Sequence, residues 1–397
     1  MRILFILENY LPHIGGVEIV FKNLCEGLAA RGHDVTVLTH HIPGTRHEEI
    51  LDGVRVVRIP CKDSRYLFTF AAIPAAIRYA KYADIIHTTT FNGAPPAWLA
   101  ARTRGKPVVI MVHESWIGKW RAYTDFPAWK AWMHEALERA VFLPRYDHYA
   151  CVSDSTARQL RAALPNARRR ITTIHNGFDA SHWKRPIPKS ALKTLRDALD
   201  LQGRYVVFGY GRPGTSKGFS YLLEAFPEIK RRIPNATLLL ILSKDKQYAS
   251  EIDRMRRRAK DLRIDGSVLI IDPKPYKELT IYAHMADCIV VPSITEGFGY
   301  TTLESCATGT PVVASDTTSI PEVIHGKHLL VTPRDPQAIA HGVIATKNGK
   351  YRTTPTREFP WNANIKAFER LYAELYRKKP VTRRTTRTKP ARKRSRS

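Results

Sequence analysis

The stretch IVVPSITEGFGYTTLESCATGTPVVASD, residues 289–316, decides the fold prediction. An apolar run over 288–291 predicts a buried strand, and Pro292 ends it. A turn with two glycines follows, and then a helical pattern that closes at Gly309. A second apolar run begins at 311–314. The stretch therefore predicts a strand, a loop, a helix and another strand.

Two glutamates, Glu296 and Glu304, flank the loop, and Gly297 and Gly299 follow the first of them. Uncovered amides at a helix N-terminus bind anions, because several N–H groups and the positive end of the helix dipole point the same way. A carboxylate on each side of such a site can hold hydroxyls of a sugar or ribose. The alternative is that Glu296 is a helix-entry residue and Glu304 a solvated helix residue. The spacing alone favours the alternative.

Apolar runs alternate with helical patterns on both sides of this stretch. One set begins with a strand at 2–7 and a helix at 17–31, and a second with a strand at 205–210 and a helix at 219–232. Such alternation predicts parallel sheets covered on both faces. The predicted fold class is α/β, with two doubly wound, Rossmann-like domains. Ligands bind at the carboxyl ends of the strands in such sheets, so we expect a site in a cleft between the domains.

The domain boundaries follow from composition. A linker is predicted at residues 181–187, which contain Pro186 and are followed by Pro188. It places an N-terminal domain at 1–182 and a C-terminal domain at 183–360. A last helical pattern covers 361–376. Residues 377–397 are too charged and too poor in apolar side chains to fold, so we expect a disordered basic tail.

The composition excludes several classes of protein. The 397 residues carry a net charge of +27, of which the tail contributes +11, leaving 27 − 11 = +16 spread over the rest. No apolar run has the length of a membrane span, and the N-terminus does not resemble a signal peptide, so we expect a cytoplasmic protein. The five cysteines are scattered without a CxxC pair, which predicts reduced thiols rather than disulfides or a metal site.

A second candidate segment is FGYGRPGTSK, residues 208–217, which follows a predicted strand and opens a helix. Arg212 and Lys217 would place two cations where a diphosphate lies against a helix N-terminus. The alternative is a solvated turn with ordinary surface charges. The segment is not a Walker loop, because Lys217 is followed by Gly218 and the glycine spacing differs.

Taken together, the two segments resemble the motifs of the retaining glycosyltransferases of family 4, which have the GT-B architecture. The likeness extends over residues 1–376 and is densest at 208–223 and 291–324. It implies that a nucleotide sugar is the donor and that the helix 361–376 packs back onto the first domain. It also includes the segment Pro321-Glu322-Val323-Ile324, in which we interpret Glu322 as a helix N-terminal carboxylate rather than a ligand.

The resemblance implies a role for individual residues. Glu296 and His113 are the catalytic pair, contacting and orienting the transferred sugar, and Glu304 holds the nucleotide ribose. Relatives often carry Asp after the histidine, whereas this chain has Glu114, so Glu114 is assigned no role. On residue type alone, a lone histidine or a glycine pair is more often structural. The remaining donor-binding residues implied by the family pattern are Gly15, Gly16, Arg212, Lys217, Gly297, Phe298, Gly299, Tyr300 and Thr301.

The implied chemistry is retaining transfer without a protein nucleophile. The acceptor enters on the face that the diphosphate leaves, and a phosphate oxygen helps to take its proton. Because the sequence has no Asp-x-Asp and cations with amides can stabilise the leaving charge, we expect no metal and no cofactor. The expected acceptor is a glycan or a lipid-linked molecule.

Residues 115–145 contain four of the seven tryptophans, interleaved with lysine and arginine. Such a mixture suits an interfacial segment beside anionic lipid. The alternative, equally weighted, is a helical excursion packed over the acceptor cleft. The basic tail at 377–397 favours the membrane, so the hypothesis is a peripheral enzyme on the inner face of the cell membrane.

Two other functions stay open on the sequence alone. The isoelectric point of about 10.0 allows a basic nucleic-acid-binding protein, although no recognition motif is present and we expect no specific nucleic acid as a partner. The second alternative is a sugar-nucleotide epimerase on the same architecture. Binding of a nucleotide sugar distinguishes the enzymes from a nucleic-acid-binding protein, and product analysis distinguishes the transferase from the epimerase.

Overall fold

A computed structural model describes residues 1–13, 15–62, 64–245 and 248–378. The chain forms two α/β halves, each built on one sheet. The first sheet has eight strands in the order β3-β4-β2-β1-β5-β6-β7-β8. All its pairings are parallel except that of β3 with β4. Its strands are β1 (Arg2–Ile6), β2 (Asp34–His40), β3 (Glu48–Leu51), β4 (Val54–Ile59), β5 (Ile85–Thr89), β6 (Val108–Val112), β7 (His148–Cys151) and β8 (Ile171–Thr173).

The second sheet has seven strands in the order β11-β10-β9-β12-β13-β14-β15, and only β15 runs antiparallel to its neighbour. The strand predicted from the apolar run 288–291 is β12. It pairs with β9 and β13, so it lies in the middle of the sheet. The strands are β9 (Tyr205–Gly211), β10 (Ala236–Leu242), β11 (Val268–Ile271), β12 (Cys288–Val291), β13 (Val312–Ser315), β14 (Gly326–Val331) and β15 (Arg352–Thr354).

Helices cover both sheets, as the alternation of apolar runs and helical patterns predicts. The helices of the first half are α1 (Gly16–Ala30), α2 (Arg65–Ala80), α3 (Ala94–Arg104), α4 (Trp120–Tyr123), α5 (Ala128–Phe142) and α6 (Asp154–Ala163). Those that follow are α7 (Ser181–Lys184), α8 (Lys189–Ala198), α9 (Phe219–Arg232), α10 (Ala249–Asp261), α11 (Leu279–Met285), α12 (Tyr300–Ala307), α13 (Ile320–Val323), α14 (Pro336–Lys347) and α15 (Trp361–Arg377).

The last helix, α15, lies on the first half and not on the second. Glu369 accepts hydrogen bonds from Arg31, whose Nε lies 3.0 Å away, and contacts His33 at 2.9 Å. The hydroxyl of Tyr372 lies 2.5 Å from Nδ1 of the buried His87. Phe368 and Tyr372 belong to the same core as the apolar face of α1. Helix α15 therefore closes the core of the first half after the chain has completed the second.

The structure contains elements that the sequence analysis did not predict. The linker expected at 181–187 contains the helix α7, and its Trp183 is fully buried in a core of the second half, where it stacks on Tyr210. An indole of this size stabilises the core through the area it removes from water. The helix α8 and the two antiparallel edge strands, β3 and β15, were not predicted. All five cysteines are buried and free, as predicted. The boundary at residue 182 and the basic tail stay predictions, because all of the tail beyond Lys378 lies outside the described residues.

Candidate active site

The turn between β12 and α12 contains two glycines, and each position requires glycine for a different structural reason. Gly299 caps α12 with a φ of 95°, in the left-handed region that costs other residues energy. Gly297 lies so close to the first half that a Cβ atom on it would be 2.2 Å from the carbonyl oxygen of His113. The turn therefore starts the helix and also brings its backbone against the carboxyl end of β6.

Glu296 is bound by groups on both sides of the turn. Its Oε1 lies 2.6 Å from Lys217 Nζ and accepts a hydrogen bond of 2.7 Å from Ser293. Its amide donates to Thr318 Oγ1 at 2.9 Å. Only 9% of the side chain is exposed, so the pair with Lys217 is largely shielded from water. The two segments singled out in the sequence thus meet in one ion pair.

Glu304 is not the solvated helix residue of the alternative interpretation. Its two carboxylate oxygens accept hydrogen bonds from the hydroxyls of Tyr210, at 2.9 Å, and Tyr276, at 2.8 Å. Tyr276 in turn accepts from the indole of Trp183 at 3.0 Å. Burial raises the pKa of Glu304, and the two tyrosine hydroxyls oppose that shift. This carboxylate is held in a fixed orientation from three separate parts of the chain.

The segment 208–217 runs from β9 into a short 3₁₀ turn, Thr215–Lys217. It is tied to the Glu296 turn because the Ile294 amide donates to the Ser216 carbonyl at 2.8 Å. Arg212 is exposed and forms no hydrogen bond or ion pair with any residue that the structure describes. One cation of the segment is thus fixed by Glu296, and the other is free to meet an anion.

His113 lies directly after β6 in the first half, whereas Glu296 belongs to the second half. The His113 ring packs against Phe21 of α1, and its Nε2 is buried without a hydrogen-bond partner in the described part of the chain. Burial lowers the pKa of His113 to about 4, so the ring is neutral at neutral pH. A neutral imidazole with an unoccupied nitrogen can donate or accept one hydrogen bond.

Comparison with known proteins identifies the family. The profile of Glycosyltransferase Family 4 matches residues 14–182, and that of Glycosyl transferases group 1 matches residues 193–357. A D-inositol 3-phosphate glycosyltransferase of Corynebacterium efficiens is 30% identical over 391 residues, which cover 91% of this chain and 90% of the relative. The chain belongs to glycosyltransferase family 4.

Other proteins similar to this glycosyltransferase agree with that assignment. A glycogen synthase of Mycobacterium tuberculosis is 29% identical over 378 residues, covering 86% of this chain and 85% of that protein. The crystal structure of Anabaena HepE in complex with UDP and glucose superposes with a TM-score of 0.67 at 17% identity, over 95% of this chain and 97% of the other. The GT-B fold and the transfer of a sugar from a nucleotide-sugar donor follow, and the nucleic-acid and epimerase alternatives are not favoured.

The other predicted residues of the glycosyltransferase differ in their surroundings. Gly16 begins α1, and no described residue beyond its own turn of chain has an atom within 4 Å of its Cβ position, whereas a Cβ on Gly15 would be 2.4 Å from Glu18 Oε2. The ring of Phe298 is buried against Phe359 and His175, so only its backbone faces the turn. Tyr300 and Thr301 are the first two residues of α12. The Tyr300 hydroxyl donates to the Gly177 carbonyl at 2.9 Å, and the Thr301 carbonyl accepts from the Ser305 hydroxyl.

Glu114 was assigned no role from the sequence, yet it lies in the site of the glycosyltransferase. Its Cγ would be 2.8 Å from a Cβ on Gly297. Burial and the nearby charge of Glu296 raise the pKa of Glu114 to about 7, and Lys217 and Arg212 oppose the shift. The sequence feature that could have identified Glu114 as a site residue is its position directly after a predicted buried strand, where ligands bind in such sheets.

Glu322 lies in the first turn of α13, as interpreted from the sequence, and it also serves a second helix. Its two oxygens accept hydrogen bonds from the amides of Asp154, at 2.8 Å, and Ser155, at 2.6 Å, so it caps α6 of the other half. Asp154, Glu322 and His175 have ligand atoms within 4.8 Å of one another. Because the oxygens of Glu322 are already occupied by amides, we assign this cluster to contact between the halves and not to a metal.

Proposed function

We propose that the enzyme is a retaining glycosyltransferase that moves a sugar from a nucleotide-sugar donor to a glycan or a lipid-linked acceptor at the cytoplasmic face of the membrane. The observation that carries this proposal is the buried pair of Glu296 and Lys217, which joins the carboxylate predicted for the sugar to a cation predicted for the diphosphate. Glu304, with both oxygens held by tyrosines, is the proposed partner of the ribose hydroxyls.

The proposed mechanism places the diphosphate between Arg212, Lys217 and the first amides of α12. As the bond between the sugar and the diphosphate breaks, negative charge develops on the leaving oxygen, and these groups stabilise it. The acceptor hydroxyl attacks the anomeric carbon from the same face, and its proton passes to the departing phosphate. Configuration is retained, no protein nucleophile is needed, and the cations make a metal unnecessary. His113 and Glu296 orient the sugar.

Donor binding is tested by calorimetry with Glu304→Ala. We expect the wild type to bind one of UDP-glucose, ADP-glucose and GDP-mannose saturably, and the variant to bind it at least about 10-fold more weakly, because a hydrogen bond to a charged group contributes about 1.5–3 kcal/mol. Thermal unfolding of both proteins without ligand checks the fold. Glu374→Ala, an exposed carboxylate on α15, is the control. Equal affinity of Glu304→Ala and wild type would remove Glu304 from the site.

The acceptor proposal depends on the surface of α5. Trp116 and Trp120 of the tryptophan-rich segment face inward, where Glu138 accepts hydrogen bonds from the Trp116 amide and the Trp120 indole. Trp129 and Trp132, in contrast, are 67% and 73% exposed. They form one helical face with three further exposed apolar residues at helical spacing, namely Met133, Leu137 and Leu143. The inward pair supports a packed role for its part of the segment, and the exposed pair supports an interfacial role for the other.

Charge favours a lipid surface as the partner of this face. Lys130 lies on α5 beside the two tryptophans, Arg139 is exposed two turns further on, and Arg121 precedes them. The acids of α5 are engaged, because Glu135 pairs with Arg139 and Glu138 is buried. Cations near an anionic membrane each contribute about 1 kcal/mol. No helix in the described ranges is long and apolar enough to cross a bilayer, so the proposed contact is peripheral.

Membrane contact is tested with the double variant Trp129→Gln, Trp132→Gln. We expect the full chain to sediment with phosphatidylglycerol vesicles at low salt. The double variant should lose most of that binding, because it lacks the two exposed indoles that are proposed to enter the lipid interface. Ile50→Gln is the matched control, since Ile50 is 74% exposed on the edge strand β3. The membrane proposal is overturned if the wild type stays in the supernatant, or if the double variant sediments like Ile50→Gln.

A further inference from the structure

Glu114 belongs to the same cluster of side chains as Glu296. It follows His113 at the carboxyl end of β6, and its side chain packs against Gly297, the residue next to Glu296. It therefore lies where the first half meets the turn that the proposed function assigns to the sugar. Two carboxyl-bearing residues thus meet at this turn, one from each half of the molecule.

The two carboxyls have different electrostatic partners. Glu296 has a cation of its own, Lys217, at 2.6 Å. Glu114 forms no ion pair within the described ranges of the chain. Burial and the negative charge of Glu296 both favour its neutral form. Lys217, a hydrogen bond with Trp116 and Arg212 favour the ionised form, and the pKa of Glu114 is about 7. The adjacent His113 adds no charge, because burial keeps it neutral.

Donor binding changes this balance in one direction. In the proposed function, which this inference takes as its basis, the diphosphate pairs with Arg212 and Lys217. The diphosphate then neutralises the positive charge of these two residues, and it also adds negative charge near Glu114. Both effects favour a neutral Glu114. A neutral carboxyl can donate one hydrogen bond and accept another, as a sugar hydroxyl requires.

We propose that Glu114 contacts the transferred sugar as a neutral, proton-bearing carboxyl, and that donor binding takes up the proton it carries. No bond to Glu114 forms or breaks in the reaction: the acceptor proton still leaves on the phosphate, and Glu114 keeps its own proton through the transfer. Its function is to hold a sugar hydroxyl by a hydrogen bond from the first half while Glu296 holds the sugar from the second.

Proton uptake is measured by calorimetry at about pH 8, where the free carboxyl is mostly ionised. The wild type is titrated with UDP-glucose, ADP-glucose or GDP-mannose in two buffers of different ionisation enthalpy. We expect uptake of a large fraction of a proton by the wild type and none by Glu114→Gln. Equal uptake by both proteins overturns this inference, and so does binding by the wild type without uptake. Failure of all three donors to bind would instead overturn the proposed function.

The pH dependence of slow donor hydrolysis gives a second measurement. Because the neutral form is required, the wild-type rate is expected to be constant at low pH and to fall as the pH rises through the pKa of the bound carboxyl, which donor binding raises above the ligand-free value of about 7. Glu114→Ala is expected to lower the rate by about 10²-fold, and Glu114→Gln to recover most of that loss and to lack the decline at high pH. A decline that persists in Glu114→Gln, or a rate within a few-fold of wild type in Glu114→Ala, overturns the proposal.

Discussion

Replacing Glu296 by alanine is expected to lower kcat/KM for transfer by about 10³-fold, which corresponds to about 4 kcal/mol of lost transition-state stabilisation. Two effects combine. The proposed contact to the sugar hydroxyls is lost, and Lys217, whose side chain is only 19% exposed, loses the carboxylate that holds it 2.6 Å away. A cation that is no longer held in place stabilises the leaving diphosphate less well.

Glu296→Gln separates the two effects. It keeps a hydrogen-bonding group of the same shape and removes the charge, so we expect an intermediate loss. The matched control is Glu358→Ala, which removes a carboxylate that is 76% exposed and should leave kcat/KM unchanged. Circular dichroism and thermal unfolding establish that the fold is intact. If Glu296→Ala transfers sugar at a rate close to that of wild type, the site does not lie where we place it.

The strand, loop and helix around Glu296 could be predicted because each carries a local signal. The apolar run at β12 ends in a proline, the left-handed turn uses Gly299, and the helix α12 ends before Gly309. The same local signals give most of the other strands and helices within a residue or two. The two antiparallel edge strands, β3 and β15, are the exception, since they are short and largely exposed and have no apolar run.

The environment of the candidate site could not be predicted, because it depends on residues distant in sequence. Glu304 is bound by Tyr210, which is 94 residues away, and by Tyr276, which is 28 away. Glu322 caps a helix that begins 168 residues earlier. No periodicity or spacing connects such positions. The family resemblance supplied the candidate residues, but it left out Glu114, since this chain departs there from the usual pattern.

Contacts between the halves surround the candidate site. Besides the cap by Glu322, Thr215 of the predicted phosphate segment donates to Asp125 of the first half at 2.6 Å, and Arg334 donates to the carbonyl of Ala122. At the centre, Gly297 packs on the backbone of His113. The second half carries the groups that are proposed to bind the sugar and the diphosphate. These groups can act on the same substrate as His113 and Glu114 only when the halves are as close as the contact between Gly297 and His113 requires.

Gly297→Ala is expected to reduce kcat by about 10²-fold or more while leaving nucleotide-sugar affinity within a few-fold of wild type. A Cβ on this residue would lie 2.2 Å from the carbonyl oxygen of His113 and 2.8 Å from Glu114 Cγ. The carbonyl is backbone and cannot rotate away, so the halves must separate slightly. Lys217, Arg212 and Glu304 all lie on the second half and still bind the nucleotide, whereas His113 and Glu114 no longer reach the sugar. Steady-state kinetics and calorimetry measure the two effects separately.

Gly266→Ala is the matched control, because no atom of the described residues other than its chain neighbours lies within 4 Å of its Cβ position, and the substitution should change neither kcat nor affinity. A second variant, Gly297→Ser, adds one more atom to the same contact and should lower kcat further. If Gly297→Ala instead weakened donor binding and kept kcat, the close approach to His113 would serve only to shape the turn. Retention of both kcat and affinity would show that the halves do not need this contact for transfer, and that catalysis depends on the second half alone.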